Sequence, residues 1–323
     1  MKRTAIPVAI SLAAIQFAVA DSTLRDGTVA HFATVNEGAE ILGRRDAFIQ
    51  RLSGFDRSAR MKTDKPISER EFLKFVQANI VEWTEEEKRK IEAAIAQIRP
   101  ALEALPLSLP NLVYFIKTTG AEEGKAFYTR DTAIVLPQNG LGGDAALLEK
   151  TIAHEVFHIL SRENPTLREK LYEMIGFANC PELDFPAALR SRKITNPDAP
   201  RNDHFIRVQI AGHKVLAVPI LFSNAEKYDV ARGGEFFNYL QFRFVPVEKQ
   251  GDSSVKTLAE DSQPKLIAPE QVSRFFEQVG RNTDYVIHPE EILADNFALL
   301  IIGDHNVPSP EILEKMKAIL TLK

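Results

Sequence analysis

The sequence predicts an α+β fold, on three observations. Short β-type apolar runs at residues 112–117 and 133–136 precede a strongly periodic helical segment, a second group of strands follows at 204–247, and the chain closes on helices. With 45% hydrophobic and 26% charged residues in 323 positions, the chain can bury a full core. Disorder, collagen and coiled coil are excluded by the same balance.

At the amino terminus, Lys2 and Arg3 precede an apolar run over residues 5–20 that closes on Ala18, Val19 and Ala20. This is the grammar of a signal peptide, and its 16 residues fall short of the roughly 20 that a membrane-spanning helix needs. We therefore expect an exported chain, bacterial periplasmic or extracellular, with no stable membrane insertion after cleavage. The single Cys180 excludes a disulfide framework and a Cys-rich zinc site, so any metal must rest on His, Asp and Glu. Lys plus Arg number 40 against 44 Asp plus Glu, which gives no field to steer nucleic acid, and none is expected as a partner.

Residues 21–66 read as polar and irregular, apart from a short helix within 37–52. Thr84 and Glu87 form a capping box that opens a helix with Ile91, Ile95 and Ile98 on one face, which Pro100 is expected to end. Asp144 caps the next helix, with Leu147, Leu148, Ile152, Val156 and Ile159 as its apolar positions. Asn164 and Pro165 restart a helix to Gly176, and residues 178–203, rich in Pro and Asn, read as loop. Residues 204–210 and 214–222 flank Ala211, Gly212 and His213 as a hairpin, 239–247 alternates as a third strand, and 248–265 is a polar loop. Three helices follow near 269–279, 289–302 and 310–320, each opened by Pro. The expected units are thus a signal peptide (1–20), a mainly helical region (21–110), a sheet with the motif helix (111–177), a β-rich insertion (178–285) and a helical end (286–323).

The strongest chemical signal is His154-Glu155-Val156-Phe157-His158. On a helix the i and i+4 imidazoles share a face and can ligate one zinc ion, with Glu155 beside them as general base. Two satisfied histidines in a core helix would give the same letters. A catalytic zinc needs a third protein ligand and an open position. Glu163, Glu169 and Glu173 follow closely in the same helical hairpin, and Glu182 and Asp184 sit in loop-like sequence. Farther on, His288 and Pro289 open a helix on which Glu291 and Asp295 are spaced i and i+4. Glu291 can ligate, while Asp295 can accept the free ring N–H of a ligand histidine.

Together, His154-Glu155-Val156-Phe157-His158 and Glu291-Ile292-Leu293-Ala294-Asp295 resemble the gluzincins, zinc metallopeptidases that pair HExxH with a downstream ExxxD helix. The metzincin pattern would need Gly at 161 and His at 164, where this chain has Ser161 and Asn164. The likeness covers less than a quarter of the chain. The 132 residues between His158 and Glu291 (159–290) far exceed the spacing in thermolysin and imply an inserted subdomain. The resemblance implies a zincin-like core of a small mixed sheet and active-site helices. It also implies one Zn2+ per chain on His154, His158 and Glu291, with Asp295 behind a ligand histidine and Glu155 as catalytic base. The strand at 133–136 would then be the edge that binds an extended peptide. Tyr285, His288, His204 and His213 are candidates for the donor that polarises the oxyanion.

The expected activity is that of an exported metallopeptidase acting on peptide or protein substrates. Its rivals are an amidase acting on cell-wall peptides and a zinc-stabilised binding protein without catalysis. Whether Cys180 reaches the metal is open at this stage.

Overall fold

The computed structural model describes residues 22–249, 255–260 and 263–322, so the expected signal peptide lies outside the described residues. The fold is mixed α and β, built on two sheets. The first contains β1 (Ser22–Arg25), β2 (Thr28–Phe32), β3 (Leu112–Thr118), β4 (Tyr128–Arg130) and β5 (Ala133–Pro137), in the order β1-β2-β3-β5-β4. The steps β2–β3 and β3–β5 are parallel, and the outer pairs β1–β2 and β4–β5 are antiparallel.

Period-two alternation divides this sheet between two cores. Val113 and Phe115 of β3, with Ile134 and Leu136 of β5, face the largest core cluster. Tyr114 and Ile116, with Ala133 and Val135, face a second cluster. That second cluster takes its helical side chains from α1 (Val35–Leu42), α2 (Ala47–Arg51) and α4 (Glu69–Ala78). Between α2 and α4 lies α3 (Gly54–Arg60). The main core is closed by α5 (Glu85–Glu103), α6 (Ala145–Glu163), α7 (Pro165–Met174), α10 (Pro289–Ile302) and α11 (Pro310–Thr321). Because both faces of β3 and β5 are covered, these strands read as continuous apolar runs.

The second sheet is antiparallel. Its path is β10 (Val255–Thr257), β9 (Leu240–Lys249), β8 (His213–Ser223), β7 (His204–Ile210) and β13 (Val272–Ser273), with β6 (Phe177–Asn179) also on β7. The β7–β8 hairpin turns at Ala211 and Gly212, both at positive φ (48° and 82°), as a tight hairpin turn of right twist requires. A two-stranded ribbon of β11 (Ala259–Glu260) and β12 (Gln263–Pro264) and the short helices α8 (Ala187–Arg190) and α9 (Phe276–Val279) complete the strands and α-helices of the described residues. None of the helices among the described residues is long and apolar enough to cross a membrane.

Several local expectations are corrected. Residues 22–32 are not irregular but form the β1–β2 hairpin, whose few buried positions (Leu24, Thr28, Ala30) are too sparse to show a period. Gly43 and Asp46 split the helix expected within 37–52 into α1 and α2, with Asp46 capping the second. Pro100 does not end α5; it sits on the exposed side, where its missing N–H is cheap, while Leu102 beyond it is fully buried. Residues 269–279 are not one helix, because Val272 pairs with Ile210 and separates a 3-10 turn at Pro269–Gln271 from the α-helical Phe276–Val279. Leu147 is 61% exposed, not a core position of α6.

Candidate metal centre

Helix α6 carries His154, Glu155 and His158, while Leu148, Ile152, Val156 and Ile159 are buried in the main core. Helix α10 packs on it and is apolar all round, with Ile292, Leu293, Ala294, Phe297 and Ala298 buried. Glu290 and Glu291 are therefore conspicuous, being carboxylates only 2% and 1% exposed at the start of an apolar helix. His288 caps that helix, its Nδ1 accepting from the Glu290 N–H at 3.1 Å.

The sequence-predicted ligands meet. Nε2 of His154 lies 3.1 Å from Glu291 Oε2, and Nε2 of His158 lies 3.7 Å from the same oxygen. The ligating atoms of His154, His158 and Glu291 all lie within 4.8 Å of one another, so they are placed to hold a metal ion. Behind them, Nδ1 of His154 donates to Asp295 Oδ1 at 2.9 Å, and Nδ1 of His158 donates to Glu290 Oε1 at 3.1 Å. Each carboxylate holds the proton on Nδ1 and points Nε2 inward, the orientation that a ligand histidine requires. The supports are themselves held. Thr283 Oγ1 donates to Asp295, while Ser161 Oγ at 2.8 Å and Tyr172 OH at 2.6 Å donate to Glu290 Oε2. Asn196 Nδ2 donates to Glu291 Oε1 at 2.5 Å.

The fit to a cation is tested by what lacks a partner. His158 Nε2 and Glu155 Oε2 are fully buried and make no hydrogen bond. An orphaned imidazole nitrogen facing carboxylates, with its other nitrogen already fixed, suits a metal. Charge argues the same way. Burial opposes a charge on His158, yet Asp198, Glu291 and Glu290 together hold it up to about 9. Burial would raise Glu291, but His158 and His154 pull it down to about 2. Burial pushes Glu155 up to about 8, and neighbouring Asp198 adds to the rise. The site thus has a surplus of carboxylates that only positive charge relieves.

Asp198 is the principal residue missed in the sequence, with Asn196 and Glu290 close behind. With Glu155 and His158 it forms a second group of atoms close enough to share an ion. Its Oδ1 accepts from the N–H and Oγ1 of Thr129, at 2.6 and 2.7 Å. Residues 195–198 therefore strap the insertion across the centre and occupy the outward N–H of β4. Here too the sequence expectation is corrected: the strand at 133–137 lies between β3 and β4, and the edge is β4, because the turn at Asp131 folds Tyr128–Arg130 onto its outer side. Asn196 and Asp198 sit in a Pro- and Asn-rich stretch with no period, and only Glu290, doubled with Glu291, carried a visible signal.

The rival ligands lie elsewhere. Glu182 is paired with Arg51 at 2.5 Å, Glu169 with His204 at 3.0 Å, and Asp184 with Arg190 at 3.5 Å. Glu163 and Glu173 are exposed. Cys180 is buried in the core of the second sheet, where burial pushes its thiol up to about 11. Among the candidate donors, His204 is held between Asp203 and Glu169, His288 caps α10, and His213 is at the exposed β7–β8 turn. Tyr285 lines a cavity with Asn196 and Asp198 beside the centre. Desolvation and the nearby carboxylates of Glu291, Asp198 and Glu155 push its phenol up from the ordinary value.

No protein-family model matches the chain, and neither the curated proteins nor the solved structures contain a significant match to it.

Proposed function

We propose that the chain is an exported zinc-dependent metallopeptidase with a zincin-like core, hydrolysing peptide bonds with Glu155 as general base. The observation that carries this reading is the convergence of His154 Nε2, His158 Nε2 and Glu291 Oε2 beside the unpartnered Glu155 Oε2. The sheet supports it as well, with two parallel steps, an antiparallel edge strand and the motif helix following β5 beside that edge. The start of the sequence, outside the described residues, supports export.

Zinc held by His154, His158 and Glu291 would supply Lewis-acid polarisation of the scissile carbonyl and acidify the attacking water. Glu155 takes a proton from that water as its oxygen attacks the carbonyl carbon, then delivers the proton to the nitrogen as the C–N bond breaks. Tyr285, which lines the cavity with Asn196 and Asp198, has a proton to donate to the developing oxyanion. Asp295 and Glu290 keep the histidine rings in register through both steps.

A second reading has one observation behind it. Asp198 offers a further carboxylate next to His158, and a centre closed by four protein ligands is structural. Metal content and peptide cleavage, measured on wild type and Glu155→Gln, separate the two. We expect one zinc in each protein and a loss of turnover of about 100-fold or more in Glu155→Gln. Unchanged zinc with no cleavage in either protein would favour the structural centre.

A further inference from the structure

We propose that the cavity between the insertion and the metal centre binds one large apolar side chain of an extended peptide, selecting Phe, Leu or Met beside the scissile bond. The selection at the bond rests on the peptidase reading; the pocket itself does not. The cavity has a volume of about 220 Å³. Phe127, Ile194, Leu221, Phe236, Phe237 and Leu240 form its apolar wall, and Asn196, Asp198 and Tyr285 line it on the side of the metal centre. Asn196 holds Glu291 and Asp198 adjoins Glu155, so a side chain in the cavity hangs from a backbone at the reacting groups.

Size and polarity set the occupant. A cavity of about 150 Å³ accommodates benzene, so this one has room for a phenyl, isobutyl or thioether group. Both charged side chains on its wall are carboxylates. Both carboxylate oxygens of Glu123 accept from Arg60, at 2.6 and 2.8 Å, and Asp198 accepts from Thr129. A Glu or Asp side chain would meet like charge there, and a Lys would exchange its water for a largely apolar wall.

The wall is built for the purpose at one corner. The Arg60 guanidinium lies 4.2 Å over the Phe236 ring, which is 2% exposed, and Phe237 stacks on Phe236 at 4.0 Å. Gly124, at φ 61°, lets both rings lie on its backbone; a Cβ there would stand 2.9 Å from Phe237. Phe237 itself stays 41% exposed and Tyr285 44%, an apolar mouth open to water. With the outward N–H of β4 taken by Asp198, a side-chain pocket rather than strand pairing becomes the principal anchor for a peptide.

The test measures binding before turnover. N-acetyl-phenylalanine amide, N-acetyl-alanine amide and N-acetyl-lysine amide are titrated into wild type, Glu155→Gln and Phe237→Ala, followed by ligand-observed NMR. Phe237 is partly exposed, so its variant keeps the fold, as a thermal melt verifies. We expect the phenylalanine amide to bind at least tenfold more tightly than the others, unchanged in Glu155→Gln and several-fold weaker in Phe237→Ala. Equal binding of the three amides, or a preference that Phe237→Ala leaves intact, overturns the pocket. Digestion of a peptide library then separates the two ideas. An apolar preference in binding without cleavage upholds the pocket and sinks the peptidase, whereas cleavage with no apolar preference at any position does the reverse.

Discussion

Two clusters of buried charge lie on either side of the 195–198 strap, and they are built to opposite ends. In one, Arg60 is enclosed by Asp56 at 2.6 Å, Glu123 at 2.6 and 2.8 Å, and the Thr195 carbonyl at 3.0 Å. Asp56 accepts in addition from Ser53 N, Thr195 N and Thr195 Oγ1. Every nitrogen of that guanidinium is engaged, and the cation is part of the chain. In the other, His154 and His158 face Glu155, Glu290, Glu291, Asp295 and Asp198, and two buried atoms remain without a hydrogen bond. A satisfied cluster fixes structure; an unsatisfied one with surplus negative charge is a place for an external cation. Thr195 and Asn196 are consecutive, so the closed cluster also positions the open one.

Removing a ligand from the open cluster gives the largest effect. We expect Glu291→Ala and His158→Ala to lose their zinc altogether after dialysis, read by metal analysis. Full retention in Glu291→Ala would transfer its role to Asp198. Removing the cation from the closed cluster comes next. Arg60→Ala leaves Asp56 and Glu123 buried without a counter-charge, at a cost of about 3–5 kcal/mol in denaturant unfolding. Zinc affinity should fall with it, because Thr195 and Asn196 lose their seat. A stable Arg60→Ala protein with unaltered zinc binding would show the two clusters to be independent.

The difference between the clusters also explains what could be read from the sequence. His154, Glu155, His158, Glu291 and Asp295 were legible because helical periodicity maps sequence spacing onto one face, and both helices formed where expected. Glu291 was reachable across 132 residues only because its own helix repeats the i, i+4 geometry. Asp198 and Asn196 lie in a strap whose conformation is set by tertiary contacts to Asp56, Thr129 and Glu291, none of them local. The Arg60 network was likewise invisible, since its partners are separated by up to 135 residues. The strand expectations held at β3, β5, β7, β8 and β9, where apolar residues run along five or more positions. They missed β1, β2 and β4, short strands in which polar residues interrupt the apolar ones.

Acid should separate the clusters by a third route. His288 is buried and neutral, its pKa pushed down by burial to about 4, while its Nδ1 caps α10. A depressed value means the fold favours the neutral ring. That stability is complete above about pH 6.5 and is lost as pH falls toward 4, by about 3 kcal/mol. In metal-free protein His154 and His158, with raised values, stay charged through this window and add no slope. His288→Asn, which can cap without titrating, should flatten the stability profile between pH 6.5 and 4. An unchanged slope would place the acid sensitivity elsewhere.

The smallest effect tests whether the carboxylates behind the histidines orient them or merely accompany them. Asp295→Asn keeps the size of the side chain. Its amide oxygen can still accept from His154 Nδ1, but the charge is gone and Thr283 loses its carboxylate partner. We expect zinc affinity to fall about 10- to 100-fold, measured by competition with a chelator, while the fold stays intact. The same change at the other histidine, Glu290→Gln, should cost more. Glu290 is 2% exposed against partly exposed Asp295, and it also serves Ser161 and Tyr172. If both variants bind zinc as wild type does, the imidazoles are held by packing alone. The open cluster's excess of carboxylates would then need another reason than the ion it surrounds.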